Sequence, residues 1–79
     1  MMGKTVASEE NAKLTAWLKD KRKEKGHTMR SLAQIIGTPH SFVGKIEHQE
    51  RRLDVVEFMR YCTALEVDPG DAIKAITEG

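Results

Sequence analysis

An all-α fold, a small bundle of helices, is predicted by three features of this sequence. Apolar residues fall in short bursts three or four positions apart, the spacing of one helix face. Only two prolines interrupt a chain of 79 residues, and lone glycines at 26, 37 and 70 stand where one helical pattern stops and the next begins. At 39% hydrophobic and 32% charged residues the chain holds enough apolar material for one core and too much for a disordered polymer, while its length leaves no room for a second core.

Residues 1–10 carry no sustained periodicity and are expected to be a flexible segment, with residues 11–79 forming the domain. The first helix should begin near Glu9 to Asn11 and run to Lys25. Leu14, Trp17, Leu18 and the stem of Arg22 line its inner face, and Gly26 is the stop. Thr28 is the N-cap of a second helix, MRSLAQII, which buries Leu32, Ala33 and Ile36 and ends at Gly37. Thr38 is expected to cap a third helix, with Pro39 in its first turn, where a missing N–H costs nothing. Val43 and Ile46 should point inward from that helix, and His40, Ser41, Gly44 and Lys45 outward. Two helices of about eight residues joined at Gly37-Thr38 have the size of a helix-turn-helix. After the polar loop EHQERRL, Asp54 and Glu57 form a capping-box pair opening a fourth helix, whose core row is expected to be Val55, Met59, Cys62 and Leu65. Val67-Asp68-Pro69 restarts the chain into a short fifth helix with Ala72, Ile73 and Ile76 on one side.

Composition excludes several functions. The N-terminal MMGKTVASEENAK lacks the apolar region of a secretory signal, and no apolar run approaches the roughly 20 residues that span a bilayer. Cys62, the single cysteine, lies among apolar residues and reads as a small buried hydrophobe, so a soluble protein of the reducing cytoplasm is expected. His27, His40 and His48 lie on different elements with no ligand-spaced partner, which argues against a metal site. His40-Ser41 cannot act as a hydrolase pair, because adjacent helical residues point apart. No cofactor and no membrane association is expected.

The net charge of +1 says little, but its distribution says more. Between Lys13 and Lys25 stand Lys13, Lys19, Lys21, Arg22, Lys23 and Lys25 against Asp20 and Glu24. From Leu53 onward Arg60 and Lys74 face Asp54, Glu57, Glu66, Asp68, Asp71 and Glu78. A basic first two-thirds and an acidic tail suggest a molecule with one side turned to a polyanion. For the Lys-rich helix alone, an ordinary solvated surface remains the other reading.

The stretch LKDKRKEKGHTMRSLAQIIGTPHSFVGKIEHQERRLDVVEFMRYCTALEVDP resembles the Cro/phage-repressor type of helix-turn-helix, the XRE family. Its most specific part is SLAQIIGTPHSFVGKIE followed by ERRLDVVEF. The resemblance implies a five-helix, lambda-repressor-like domain that binds double-stranded operator DNA as a homodimer and represses or autoregulates transcription. It makes the third helix the recognition helix, with His40, Ser41 and Lys45 facing base edges in the major groove. Gly44 sits among them; its missing side chain either lets the helix approach the bases closely or is merely tolerated at a surface. Phe42 is either core or a contact for a thymine methyl, with packing favoured. Arg51 and Arg52 are the leading phosphate contacts, followed by Thr38, Arg30, His48 and the N-terminal amides of the second helix. Two positions depart from the family pattern: Met29 stands where a phosphate-holding Gln is common, and Gln49 where a Gly is common. The resemblance also places a buried ion pair at Arg22 and Glu47.

The apolar side of the last helix (Val67, Ile73, Ile76) is larger than so small a fold should leave exposed, and it is the expected two-fold interface. With no sensor domain after that helix, no small-molecule ligand is expected. A phage repressor, a restriction–modification controller and a chromosomal regulator all fit this length. The rival to this leading reading is an antitoxin-like or adaptor module that reuses the fold for protein interaction; the low net charge and Met29 give it some weight.

Overall fold

A computed structural model describes residues 8–78. They form α1 (Glu9–Glu24), α2 (Met29–Ile36), α3 (Ser41–Glu47), α4 (Val55–Leu65) and α5 (Pro69–Glu78), with no strand among the described residues. Of the segment expected to be flexible, Ser8 caps α1 while Glu9 and Glu10 open it; residues 1–7 lie outside the described residues.

Local chemistry sets most boundaries. The Ser8 hydroxyl accepts from the Asn11 N–H at 3.1 Å. Acidic Glu9 and Glu10 in the first turn, and Lys21, Arg22 and Lys23 in the last, complement the dipole of α1. Thr28 and Ser31 form a reciprocal capping box at the start of α2, each side chain accepting the other's backbone N–H at 3.0 Å. Gly37, at φ +88°, ends α2, and the N–H groups of Gly37 and Thr38 both donate to the Ala33 carbonyl at 2.9 Å. Asp54 and Glu57 form the expected box at α4, with bonds of 2.7 and 3.0 Å.

The third helix opens differently from the expectation. Thr38 does not cap it; its hydroxyl turns back to donate to the Ala33 carbonyl at 3.4 Å, and His40 holds the cap position with no side-chain bond. The Pro39 carbonyl accepts from the Phe42 N–H at 3.0 Å, so a tight turn leads into α3.

One apolar cluster joins the elements: Leu18 of α1, Leu32 and Ala33 of α2, Phe42, Val43 and Ile46 of α3, Tyr61 and Leu65 of α4. The row expected on α4 is half right. Cys62 and Leu65 are buried, but Val55 is 78% exposed and Met59 48% exposed. The inward face is centred on Tyr61 and Leu65, so Met59 falls beyond its edge and lines an open groove with Ile35 and Val56 instead. Tyr61, absent from the expected core, is fully buried with its hydroxyl unbonded, and burial pushes the phenol's pKa upward. Burial likewise raises the Cys62 thiol to about 11, which keeps it protonated and inert. Gly70 is not a boundary: it lies in the first turn of α5.

The expected ion pair is present and buried. Arg22 Nε donates to Glu47 Oε2 at 2.6 Å and Nη2 to Oε1 at 3.2 Å, with side chains 9% and 2% exposed. Its third arm, Nη1, donates to the His27 carbonyl at 2.8 Å. One guanidinium thus ties the end of α1, the turn before α2 and the end of α3. Replacing either partner alone by alanine leaves a buried charge uncompensated and should cost about 3–5 kcal/mol in urea unfolding.

Two non-glycine residues, Gln49 (φ 61°) and Glu66 (φ 59°), hold left-handed backbone. Gln49 thus keeps the conformation that a glycine adopts without strain, and its buried Oε1 has no partner. Gln49→Gly and Glu66→Gly should each raise unfolding stability by about 1 kcal/mol, the usual scale of that backbone cost.

Candidate nucleic-acid interface

The outward side of α3 follows from what its inward side buries. Phe42, Val43 and Ile46 face the core, which turns Ser41, Lys45 and His48, spaced i, i+4, i+7, to solvent in one row. Gly44 lies within that face, and His40 stands exposed at its N-terminal end. Arg30 is exposed on the first turn of α2. Neither Arg30 nor Lys45 is paired with a carboxylate among the described residues, so both cations are available to a polyanion.

Ser41 and Lys45 meet Arg51 around one shallow depression of about 200 Å³, floored by Pro39 and Phe42. Arg51 is held there from two sides. Its guanidinium lies over the Phe42 ring, 5.0 Å from the centroid, and its two terminal nitrogens donate to the two Glu57 oxygens at 2.8 Å each. Nη1 also donates to the Arg52 carbonyl at 3.0 Å. Glu57 is itself fixed by the capping box, so the start of α4 orients the arginine. The bond from Arg51, with the Asp54 backbone N–H second, holds the Glu57 carboxyl well below its ordinary range, at about 2.

The other expected contacts are dispersed. Arg52 is drawn away from α3: its Nη2 donates to Ser8 Oγ at 3.2 Å, and it lines a depression with Glu10, Asn11 and Ile76. The Thr38 hydroxyl is engaged with α2, as described above. His48 ends α3, its backbone N–H bonded to the Gly44 carbonyl at 2.9 Å. Val67 packs against the core cluster, whereas Ile73, half exposed, and Ile76 border a separate apolar depression with Leu14, Leu53, Val55 and Phe58.

Sequence reasoning missed two partnerships. Glu57 was recognisable as a cap, but its second role as the anchor of Arg51 spans a loop with no periodicity. Met29 reaches across from α2 to cover Gly44: a Cβ placed at residue 44 would lie 3.7 Å from Met29 Sδ, an ordinary contact. The packing therefore does not require glycine at 44, and the space above it belongs to a thioether.

A short two-helix unit closed by a left-handed glycine, with an exposed polar row on its second helix, defines the DNA-binding regulator fold of the helix-turn-helix class. A helix-turn-helix family model matches residues 18–71, and the chain belongs to the Cro/C1-type, or XRE, family. Among solved structures it is similar to an XRE-family like protein from Pseudomonas syringae pv. tomato (TM-score 0.81, 38% identity, covering 87% of this chain and 84% of that one). It is also similar to the restriction-modification controller protein C.AhdI from Aeromonas hydrophila (TM-score 0.77, 28% identity, 82% of this chain and 98% of that one). A third similar structure is a point mutant of the controller C.Esp1396I bound to its highest affinity operator site OM (TM-score 0.79, 25% identity, 90% and 93%). No curated protein matches the chain. No helix among the described residues is long and apolar enough to cross a membrane.

Because the Glu57 carboxyl is held at about 2 in the folded protein, its pairing stabilises the fold above the ordinary carboxylate value of 4.5 and is lost as pH falls between the two. Unfolding midpoints measured down this range should decline less steeply in Glu57→Gln than in the parent chain.

Proposed function

We propose that this protein is a homodimeric regulator of transcription that reads a pseudo-palindromic operator through the major groove. The observation that carries this reading is the outward row of Ser41, Lys45 and His48 on α3, with Arg51 fixed beside it. In this reading α3 enters the major groove with His40 and Ser41 deepest. Both side chains donate or accept, and Lys45 reaches a guanine O6/N7 edge or a phosphate. Arg51, restrained by Phe42 and Glu57, meets a phosphate through the N–H groups those bonds leave over, sharing its charge with Glu57. Arg30, Thr38 and His48 are secondary phosphate contacts, and Arg52 reaches the backbone only by leaving Ser8. The bound operator of the C.Esp1396I mutant supports double-stranded DNA as the ligand.

The two-fold interface is assigned to the depression between α4 and α5, with Ile73 and Ile76 as first expected, Val55 added, and Val67 left to the core. A symmetric pair joined there presents its recognition helices to major grooves one turn apart, about 34–36 Å. In this reading the helical unit, which opens at the Ser8 cap rather than at residue 11, acts as the DNA-binding domain, in the cytoplasm.

Fluorescence anisotropy on DNA from the chain's own promoter region, at several salt concentrations, tests the reading. Affinity should fall steeply with salt. Arg51→Ala should weaken all sequences alike and reduce the salt slope, whereas Lys45→Ala should relax preference at one base pair by about 1–3 kcal/mol. Failure to bind any fragment below micromolar at low salt would sink the proposal. Sedimentation equilibrium of Ile73→Asp should give a monomer where the parent chain gives a dimer; a parent monomer bound to DNA would reject the two-fold arrangement alone.

A further inference from the structure

We infer that Met29 and Gly44 together form an apolar notch in the recognition surface that takes the C5-methyl group of a thymine, which makes Met29 a specificity-determining residue. The inference rests on the DNA-binding reading of α3 and adds a base identity to it. Three observations lead there. Gly44 flanks the polar row of Ser41, Lys45 and His48 and is partly exposed, so that edge of the row carries no side chain of its own. Beyond its chain neighbours and the backbone of α3, the one atom of the described residues within 4 Å of where a Cβ at 44 would sit is Met29 Sδ, at 3.7 Å. Met29 is only partly buried: it packs against the core cluster without being sealed from solvent.

The chemistry of that notch is narrow. A thioether and a glycine Cα offer no strong donor or acceptor to a base edge or a phosphate, and the polarisable sulfur suits contact with an apolar group. Among the major-groove edges of the four bases only thymine presents a methyl group. Ser41 and Lys45 beside the notch handle polar edges, so the methyl-reading step is flanked by hydrogen-bonding ones. An amide side chain at 29 would instead offer a phosphate a donor, and a β-carbon at 44 would fill the notch from the other side.

The test uses the full chain and an operator duplex selected from random DNA, in which thymines are replaced one at a time by uracil, a change that removes only the methyl group. At one position in each half-site the parent chain should lose about fourfold in affinity on uracil, the factor matching burial of one methylene-sized group. Met29→Ala and Gly44→Ala should bind the thymine and uracil duplexes equally at that position, and Met29→Leu should retain the discrimination. Gly44→Ala is the control for folding, since its new methyl meets only an ordinary contact. If the uracil scan is flat, or if its pattern is unchanged in Met29→Ala, the notch does not read a methyl. Absence of any selected duplex overturns the DNA-binding reading itself.

Discussion

The placement of α3 depends on one guanidinium. α3 has seven residues and no side-chain cap at its start, so its own hydrogen bonds hold it poorly. It also ends on Glu47, an anion at the negative end of a helix, which is unfavourable in isolation. Arg22 reverses that penalty. It meets both Glu47 oxygens and spends its remaining arm on the His27 carbonyl in the turn that precedes α2. A nonpolar pair of similar size could fill the same space at equal or lower free-energy cost. What it would not supply is direction: the planar fork fixes how the end of α3 is rotated against α1, and with it which residues of α3 face outward.

A second constraint acts at the other end of the site. Arg51 is exposed, and an exposed ion pair by itself contributes little. Its place in the fold matters more than its energy. Glu57 is bound at once to the Asp54 backbone and to Arg51, so the first turn of α4 and the loop after α3 are fixed together. The left-handed Gln49 belongs to the same loop, where the Glu50 N–H donates to the Lys45 carbonyl at 2.8 Å and shuts the end of α3. The chain accepts backbone strain and an unbonded amide oxygen there, and the loop path is preserved without glycine.

Much of this was legible in the sequence where the signal was local. Gly26, Gly37, Thr28 and the Asp54-Glu57 pair announce helix ends by their own chemistry, and all four behave as read. Thr38 misled because a threonine before a helix reads as a cap, whereas here its hydroxyl bonds the Ala33 carbonyl of α2 instead. Val55 and Met59 misled because an apolar residue at helical spacing does not reveal how wide the buried stripe is; Tyr61, on the true centre line, carries a hydroxyl that hides it. The outward residues of α3 were readable from the inward ones. The roles of Arg52, Glu57 and Met29 were not, since each depends on a contact across a turn or loop whose geometry no periodicity encodes.

The scale of recognition energies links the interface on α3 to the apolar depression beside α5. In the proposed reading one copy offers few base readers: His40, Ser41 and Lys45, joined by the Met29–Gly44 notch. A good bidentate contact discriminates by about 1–3 kcal/mol, and none of these side chains has the fixed fork of arginine or an amide. Specific sites are typically separated from nonspecific DNA by about 4–10 kcal/mol, a range that one such helix reaches only at its lower edge. Doubling the set by the proposed two-fold axis would bring the total well inside it, without lengthening α3. The exposed Ile73 and Val55 offer apolar surface that such a pairing would cover, beside a helix only seven residues long.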